Sequence, residues 1–224
     1  MFKDRHEAGL QLAQACLHLR SQDPIVLALP RGGVPVALEV ARALDAPLDL
    51  LLVRKIGAPS QRELAIGAVV DGEQMDTVLN EDLVEELGVS MEYIRERAAE
   101  EVEEIERRRR LYLSGRSPVS VRGRTVIVVD DGIATGATVR AALRGLRRRE
   151  PARLVLAVPV APSDTLDLLR EELDEIVCLE RPYPFGWIGR FYHDFRQVGD
   201  DEVRGYLDQA RAGDREDDAA DSSR

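Results

Sequence analysis

The chain has 224 residues, 44% hydrophobic and 32% charged, an ordinary composition for a soluble globular protein with one sizeable core. Its 31 Lys and Arg stand against 41 Asp and Glu, a formal charge of -10, so its overall field repels a phosphate backbone and nucleic acid is not an expected partner. The opening stretch MFKDRHEAGLQLAQACLHLR has early charges and no uninterrupted apolar run, which fits neither a secretory signal nor a membrane span. Cys16 and Cys178 each lie in an apolar neighbourhood, and reduced buried thiols in a cytoplasmic protein are expected rather than a disulfide.

In chain order, helical and strand patterns alternate, which predicts an α/β fold with a mostly parallel sheet. Ala8, Leu12, Ala15, Cys16 and Leu19 recur at helical spacing before the buried strand IVLAL at 25–29. A second helical stripe, Val34, Ala37, Leu38, Ala41 and Leu44, leads to a second buried strand, LDLLLV at 48–53. KIGAPSQRE at 55–63 reads as a loop, and AIGAVV with MDTVL as a short hairpin around Asp71 and Gly72. From 80 to 113 acids and bases alternate, with ERAAEEVEEIERRRR at the centre: a helical insertion whose charge forms a solvated face, with a bound partner for Arg107 to Arg110 as the alternative. Residues 115–123 read as a linker. Strand 125–129, helix 137–149, strand 153–158, helix 163–172 and strand 175–179 then complete a core spanning about 25–180. A C-terminal cap over 181–211 closes one domain, 1–211, and the polar, acidic stretch 212–224 is expected to be a disordered tail.

Chemistry concentrates in VIVVDDGIATGAT at 126–138. In an open α/β sheet ligands sit beyond the carboxyl ends of the strands, and VIVV delivers Asp130 and Asp131 to that edge. The following turn opens a helix, whose free N–H groups and positive dipole end suit a phosphate dianion. Small residues at Gly132, Ala134, Gly136 and Ala137 let backbone approach, and Thr135 and Thr138 add hydroxyl donors. Two carboxylates beside a phosphate would repel it unless something neutral or cationic lay between. The vicinal hydroxyls of a ribose fit, one hydrogen bond to each carboxylate, while the 5′-phosphate enters the turn. The lysine of a P-loop and the glycine spacing of a dinucleotide fold are both lacking, and a mere strand-ending turn leaves the paired threonines unexplained.

A hydrophobic strand, two acids, three variable residues and T-G-x-T: this pattern resembles the 5-phosphoribosyl 1-pyrophosphate (PRPP) motif of the type I phosphoribosyltransferases, with a pattern also similar to uncharacterised bacterial phosphoribosyltransferase-like proteins that share DRHEAG and FYHDFRQV. The resemblance implies that Asp130 and Asp131 hold the ribose hydroxyls and that Gly132, Ile133, Ala134, Thr135, Gly136 and Thr138 bind the 5′-phosphate. It also implies a pyrophosphate loop after the first core strand, and LPRGG at 29–33 sits there, with Arg31 as charge and Gly32 and Gly33 for an unusual backbone. A mobile loop in the family closes over the leaving group, and RKIGAPSQRE offers Arg54, Lys55 and Arg62 as catalytic cations, Lys55 also contacting pyrophosphate. For Arg62 a plain surface role is the alternative.

The implied reaction is transfer of 5-phosphoribosyl from PRPP to a nitrogenous base, or its reverse, with pyrophosphate leaving. Mg2+ on pyrophosphate and ribose oxygens would assist, reached by Asp130 and Asp131 mainly through water. Members that use 6-oxopurines carry an acid directly before T-G; here Ala134 stands there, which disfavours hypoxanthine or guanine, and VRK at 53–55 is similar to the adenine-using branch. In PYPFGWIGRFYHDF at 182–195, Trp187, Phe191 and Tyr192 either form a stacking hood over the acceptor or pack a cap. His193 is either a general base or a structural hydrogen-bonding group. A non-catalytic PRPP-sensing regulator is the alternative function, and the family habit suggests a homodimer.

Overall fold

The computed structural model describes residues 1–59, 61–72, 75–114 and 118–221. Five parallel strands make the main sheet: β1 (Pro24–Ala28), β2 (Leu48–Leu50), β6 (Thr125–Val129), β7 (Arg153–Val160) and β8 (Glu175–Glu180), in the order β2-β1-β6-β7-β8. The near-continuous apolar sequences of β1, β6 and β7 follow from burial on both faces. Because side chains alternate along a strand, Val26, Ala28, Ile127, Val129, Val155 and Ala157 enter one core and Ile25, Leu27, Val126, Val128, Leu154 and Leu156 the other. Helices α1 (Arg5–Cys16) and α2 (Gly33–Leu44) cover the first core, where Leu12, Cys16, Val36 and Leu44 are buried. Helices α5 (Ala137–Arg147) and α6 (Ser163–Leu169) cover the second with Val139, Leu143, Leu146 and Leu166. Each fully buried valine or leucine is worth about 1.5–3 kcal/mol.

The chain runs outward from β1 to β2 on one side and from β6 to β7 and β8 on the other, so the order reverses between β1 and β6. Register pairs Ala28 with Val129, which brings the two strands to their carboxyl ends side by side. That gap between diverging connections is where open α/β sheets hold ligands.

The stretch 48–63 departs from expectation. LDLLLV is not one strand: β2 stops at Leu50, and the buried carboxylate of Asp49 accepts the Val119 amide at 3.0 Å. The chain then enters a second, antiparallel sheet of β3 (Val53–Ala58), β4 (Gln61–Val70) and β5 (Asp76–Leu79). Residues expected as a loop at 55–63 are therefore largely paired strand, Lys55 opposite Ala68 and Ala58 opposite Gln61. Gly57 lies within β3 itself, so it does not mark an open loop. Strands β4 and β5 form the hairpin expected around Asp71 and Gly72.

The helical insertion is two helices, α3 (Glu81–Glu86) and α4 (Met91–Leu113), broken at Gly88, which takes a left-handed φ of 60°. Ser90 caps α4 by accepting the Tyr93 amide. Arg107 and Arg108 pair with Glu104 and Arg110 with Glu106 on the solvated face, as expected of a charged helix. Arg109 differs, reaching buried Asp71 at 2.8 Å and tying the insertion to the small sheet. The last helix, α7 (Asp200–Asp221), continues to Asp221, through most of the stretch expected to be disordered from 212; residues 222–224 lie outside the described residues. Residues 115–117 of the expected linker also lie outside them. Both cysteines carry free thiols, and burial pushes that of Cys16 up to about 12. No described helix is long and apolar enough to cross a membrane.

Asp71 generates a prediction. Burial raises its carboxyl to about 6 from an ordinary 3.8, outweighing the pull of Arg109. The folded chain thus binds that proton more tightly than the unfolded chain. Its stabilising contribution is complete below about pH 4 and is lost as pH climbs through about 6. In urea melts, the stability difference between wild type and Asp71→Asn should shift across this window by about 1 kcal/mol or more. A constant difference from pH 4 to 7 would contradict the assignment.

Candidate functional site

Two turns meet at the reversal point. The first follows β1 as Pro30-Arg31-Gly32-Gly33 and opens α2; the second follows β6 as Asp130 to Gly136 and opens α5. Their contact is so close that glycine is the residue the space admits. A Cβ on Gly32 would lie 2.0 Å from Asp131 Oδ2, and one on Gly33 2.7 Å from the Val129 carbonyl oxygen and 2.9 Å from Asp130 Cα. The glycines of PRGG are thus required by the acids of the neighbouring turn. Arg31 extends to Asp200 at the start of α7, at 3.4 Å, and the same carboxylate oxygen accepts the Tyr112 hydroxyl at 2.6 Å. The amides of Arg31 and Gly32 have no acceptor among the described residues.

Asp130 Oδ1 accepts the Asp131 amide at 2.8 Å. Burial, then the charge of Asp131, drives the Asp130 carboxyl well above the usual range. Asp131 is 8% exposed, and burial raises it as well, against the pull of a cation that the sequence reading did not find. That cation is Arg5, in the first turn of α1, whose Nε donates to Asp131 Oδ2 at 2.7 Å. The acidic pair therefore faces the site with one resident counter-charge. Arg5 was hidden in DRHEAG because a single arginine in an amphipathic helix carries no signature of its partner.

Beyond the acids, the second turn divides. Ile133 does not face a ligand as expected: its side chain is buried and its amide donates to the Val160 carbonyl at 3.0 Å. From Ala134 through Thr138 the amides have no acceptor among the described residues, and the hydroxyls of Thr135 and Thr138 have no partner there either. Gly136 takes a left-handed φ of 71° at the head of α5, and Thr165 locks the turn from α6 by donating to the Ala134 carbonyl at 2.8 Å. The result is a row of exposed donors at a helix N-terminus, suited to an anion.

The small sheet supplies the cations over this row. Lys55 of β3 is exposed and lines a cavity of about 210 Å³ with Thr135, Gly136, Ala137 and Arg140. It also lines a neighbouring cavity of about 410 Å³ with Arg54, Arg62, Tyr93, Arg97 and Thr138. Arg54 is partly committed elsewhere, bound to Glu101 of α4 at 2.7 Å. Tyr93 of α4 donates its hydroxyl to the Gly57 carbonyl at 3.0 Å, so the insertion braces the hairpin that carries these cations. Positive charge thus exceeds negative in the second cavity, with Glu101 as the carboxylate among its lining residues.

Two aromatics of the cap take the packing alternative. Tyr192 is no stacking surface: it is buried, packs against Phe2 with ring centroids 5.4 Å apart, and donates its hydroxyl to the Asp131 carbonyl at 2.6 Å. Phe191 packs on Phe185 and its carbonyl accepts the Phe2 amide. Of the three aromatics proposed as a hood, Trp187 stays open, 59% exposed and edge-on to Phe195. His193 is joined to the fold through its backbone, whose amide donates to the Phe2 carbonyl at 2.9 Å. The cap meets the acidic turn at Gly132, where an added Cβ would strike Ile188 at 2.6 Å.

Residues 77–196, which hold the acidic turn, the donor row and the first part of the cap, match the phosphoribosyl transferase domain family. The chain belongs to that family. It is 44% identical over 210 residues to the provisionally named phosphoribosyl transferases Rv0571c and MT0597 from two strains of Mycobacterium tuberculosis, an alignment covering 94% of this chain and 47% of theirs. The chain therefore spans about half the length of the curated relatives it matches. A solved structure, TT1426 from Thermus thermophilus, is 40% identical, covers 92% of this chain and 97% of its own, and superposes with a TM-score of 0.82. The parallel five-stranded sheet with flanking helices is the architecture expected from the PRPP motif.

In this member of the family, Gly32→Ala should force Asp131 or the first turn to shift, because the added methyl meets an oxygen already held by Arg5. The expected loss is about 1–3 kcal/mol in a denaturant melt, together with displacement of the Asp131 carboxylate in a crystal structure of the variant. Tyr192→Phe should cost about 1 kcal/mol by leaving the Asp131 carbonyl unpaired. Unchanged melting midpoints for both would mean that the two contacts do not constrain the acidic turn.

Proposed function

We propose that the protein transfers 5-phosphoribosyl from PRPP to a nitrogenous base and releases pyrophosphate. The observation that carries this reading is the row of unpartnered amides from Ala134 to Thr138 placed directly after a buried pair of carboxylates. The spacing suits a phosphorylated sugar: the phosphate takes the amides and the threonine hydroxyls, and the vicinal hydroxyls each find a carboxylate.

In this reading the bond from the anomeric carbon to the pyrophosphate oxygen breaks as a ring nitrogen of the base forms a bond to the same carbon, and a proton carried by that nitrogen passes to the departing pyrophosphate or to water. Positive charge develops on the sugar ring and negative charge on the leaving pyrophosphate. Asp130 and Asp131 lie on the side where the positive charge grows, and the unpartnered amides of Arg31 and Gly32 with Lys55 and Arg62 serve the leaving group. Closer approach of the β3–β4 hairpin would bring these cations onto pyrophosphate and exclude water, which otherwise takes the place of the base.

Mg2+ fits this site as a partner of the substrate. Among the described residues no group of three or more His, Cys, Asp or Glu could hold a metal ion, and magnesium commonly uses one or two carboxylates with substrate phosphates and water. Asp130 and Asp131 would supply those contacts, mainly through water. When bound, the ion neutralises pyrophosphate and makes it a better leaving group. Of the three hood candidates, Trp187 is the exposed one on which a planar base would stack. Ala134, in place of an acid, offers no proton acceptor to a 6-oxopurine.

Incubation with PRPP, Mg2+ and a panel of purine, pyrimidine and pyridine bases should release pyrophosphate above the hydrolytic background with at least one base. Lys55→Ala should lower kcat at least tenfold while the fold persists. PRPP binding measured by calorimetry should be abolished in the Asp130→Asn/Asp131→Asn double variant. Binding that survives in the double variant would sink the site assignment; binding by wild type without release for any base would turn the reading to a PRPP sensor.

A further inference from the structure

Arg5 lies 126 residues before Asp131 in the chain, yet its guanidinium is enclosed at the mouth of the same site. Three contacts define its position. Nε donates to Asp131 Oδ2 at 2.7 Å, Nη1 donates to the Arg196 carbonyl at 2.8 Å, and the plane lies over the Phe195 ring at 4.0 Å from its centroid. Both side chains of the ion pair are 11% exposed, so solvent screens it little and neither charge can be removed without leaving the other buried and unpaired. The guanidinium thus joins α1, the acidic turn and the cap in one knot.

The bound oxygen matters. Asp131 Oδ2 is also the atom that Gly32 approaches, so Arg5 draws the carboxylate towards the pyrophosphate turn and sets its rotation. On Asp130 the corresponding constraint comes from the Asp131 amide, which occupies Oδ1. Among the described residues, Asp130 Oδ2 and Asp131 Oδ1 are then left without an N–H donor from the protein. The vicinal hydroxyls of a ribose would meet the pair there, replacing the side-chain hydrogen bond that the two carboxyl groups make to each other. Burial drives Asp130 towards its neutral form and Arg5 offsets the charge of Asp131, which together lessen the pair's repulsion of the phosphate groups on either side.

We propose that Arg5 is a positioning residue for the phosphoribosyl donor: anchored on the N-terminal helix, it orients the Asp131 carboxylate so that one oxygen meets a sugar hydroxyl. This rests on the donor-binding reading given above, and adds to it an element outside residues 77–196 that match the family. Lysine cannot reproduce the role, because a single ammonium lacks the planar fork that reaches Asp131 and the Arg196 carbonyl together while stacking on Phe195.

The test is a double-mutant cycle read by calorimetric titration of PRPP in the presence of Mg2+, with thermal melts of every variant. Arg5→Met and Asp131→Asn should each weaken PRPP binding about tenfold or more, and the double variant should be no weaker than the worse single variant. Arg5→Lys should fall between wild type and Arg5→Met. Effects that simply multiply, or an Arg5→Met protein that melts earlier but binds PRPP as wild type does, would overturn the proposal while leaving the donor site standing. If Arg5→Met does not fold, Arg5→Lys and Asp131→Asn complete the same cycle with the same criterion. Wild type that binds no PRPP would instead bring down the donor-site reading, and this inference with it.

Discussion

The site depends on the close approach of two backbone turns where the sheet reverses direction. Strands β1 and β6 end in register, their turns meet, and the space between Gly32 and Asp131 Oδ2 is too small for any side chain. This contact places backbone amides of one turn beside carboxylates of the next without a side chain intervening. It also explains why small residues cluster in both motifs: in each, a Cβ would occupy the room that backbone or ligand needs.

Around this contact the molecule arranges charge in opposition. Burial drives the acidic pair towards protonation, and Arg5 resists that for Asp131. On the other side of the donor row, Lys55, Arg62 and Arg97 gather with one carboxylate, Glu101, among them. A ligand with a polar, hydroxylated middle and phosphorylated ends matches this gradient better than a uniformly charged one. Arg97 comes from α4, and the small antiparallel sheet brings Lys55 and Arg62 there. It stands apart from the main sheet and is braced by α4 through Arg54–Glu101, Arg109–Asp71 and Tyr93–Gly57. The insertion thereby holds the hairpin that carries the cations, in addition to presenting a solvated face.

The N-terminal helix and the cap complete the site from the two distant ends of the chain. Phe2 pairs with Tyr192, the Tyr192 hydroxyl holds the Asp131 carbonyl, and Arg5 holds the Asp131 carboxylate while resting on Phe195. One aspartate is thus restrained at both backbone and side chain by segments more than sixty residues away on either side. Aromatic residues that looked equally suited to stacking a ligand or packing a cap divide between the roles: Tyr192 and Phe191 pack, and Trp187 remains exposed.

The parallel core and the character of the principal site are encoded locally. Buried parallel strands need continuous apolar runs, and VIVV and RLVLAVPV carry that requirement; strand 125–129 falls where its pattern put it. The acids and the donor row were legible because their chemistry is written within a dozen consecutive residues. Whatever depends on distant partners was settled by the folded chain. KIGAPSQRE reads as loop because Gly, Pro and Ser do not reveal whether the flanking chain pairs, and here β3 pairs with β4. Ile133 looked like its neighbours until the Val160 carbonyl claimed its amide, and Arg5 drew no assignment because its partner Asp131 lies 126 residues on. Local pattern specifies which backbone a segment can adopt; tertiary structure alone sets which buried charge lies opposite another, because that is a distance across the fold rather than a spacing along it.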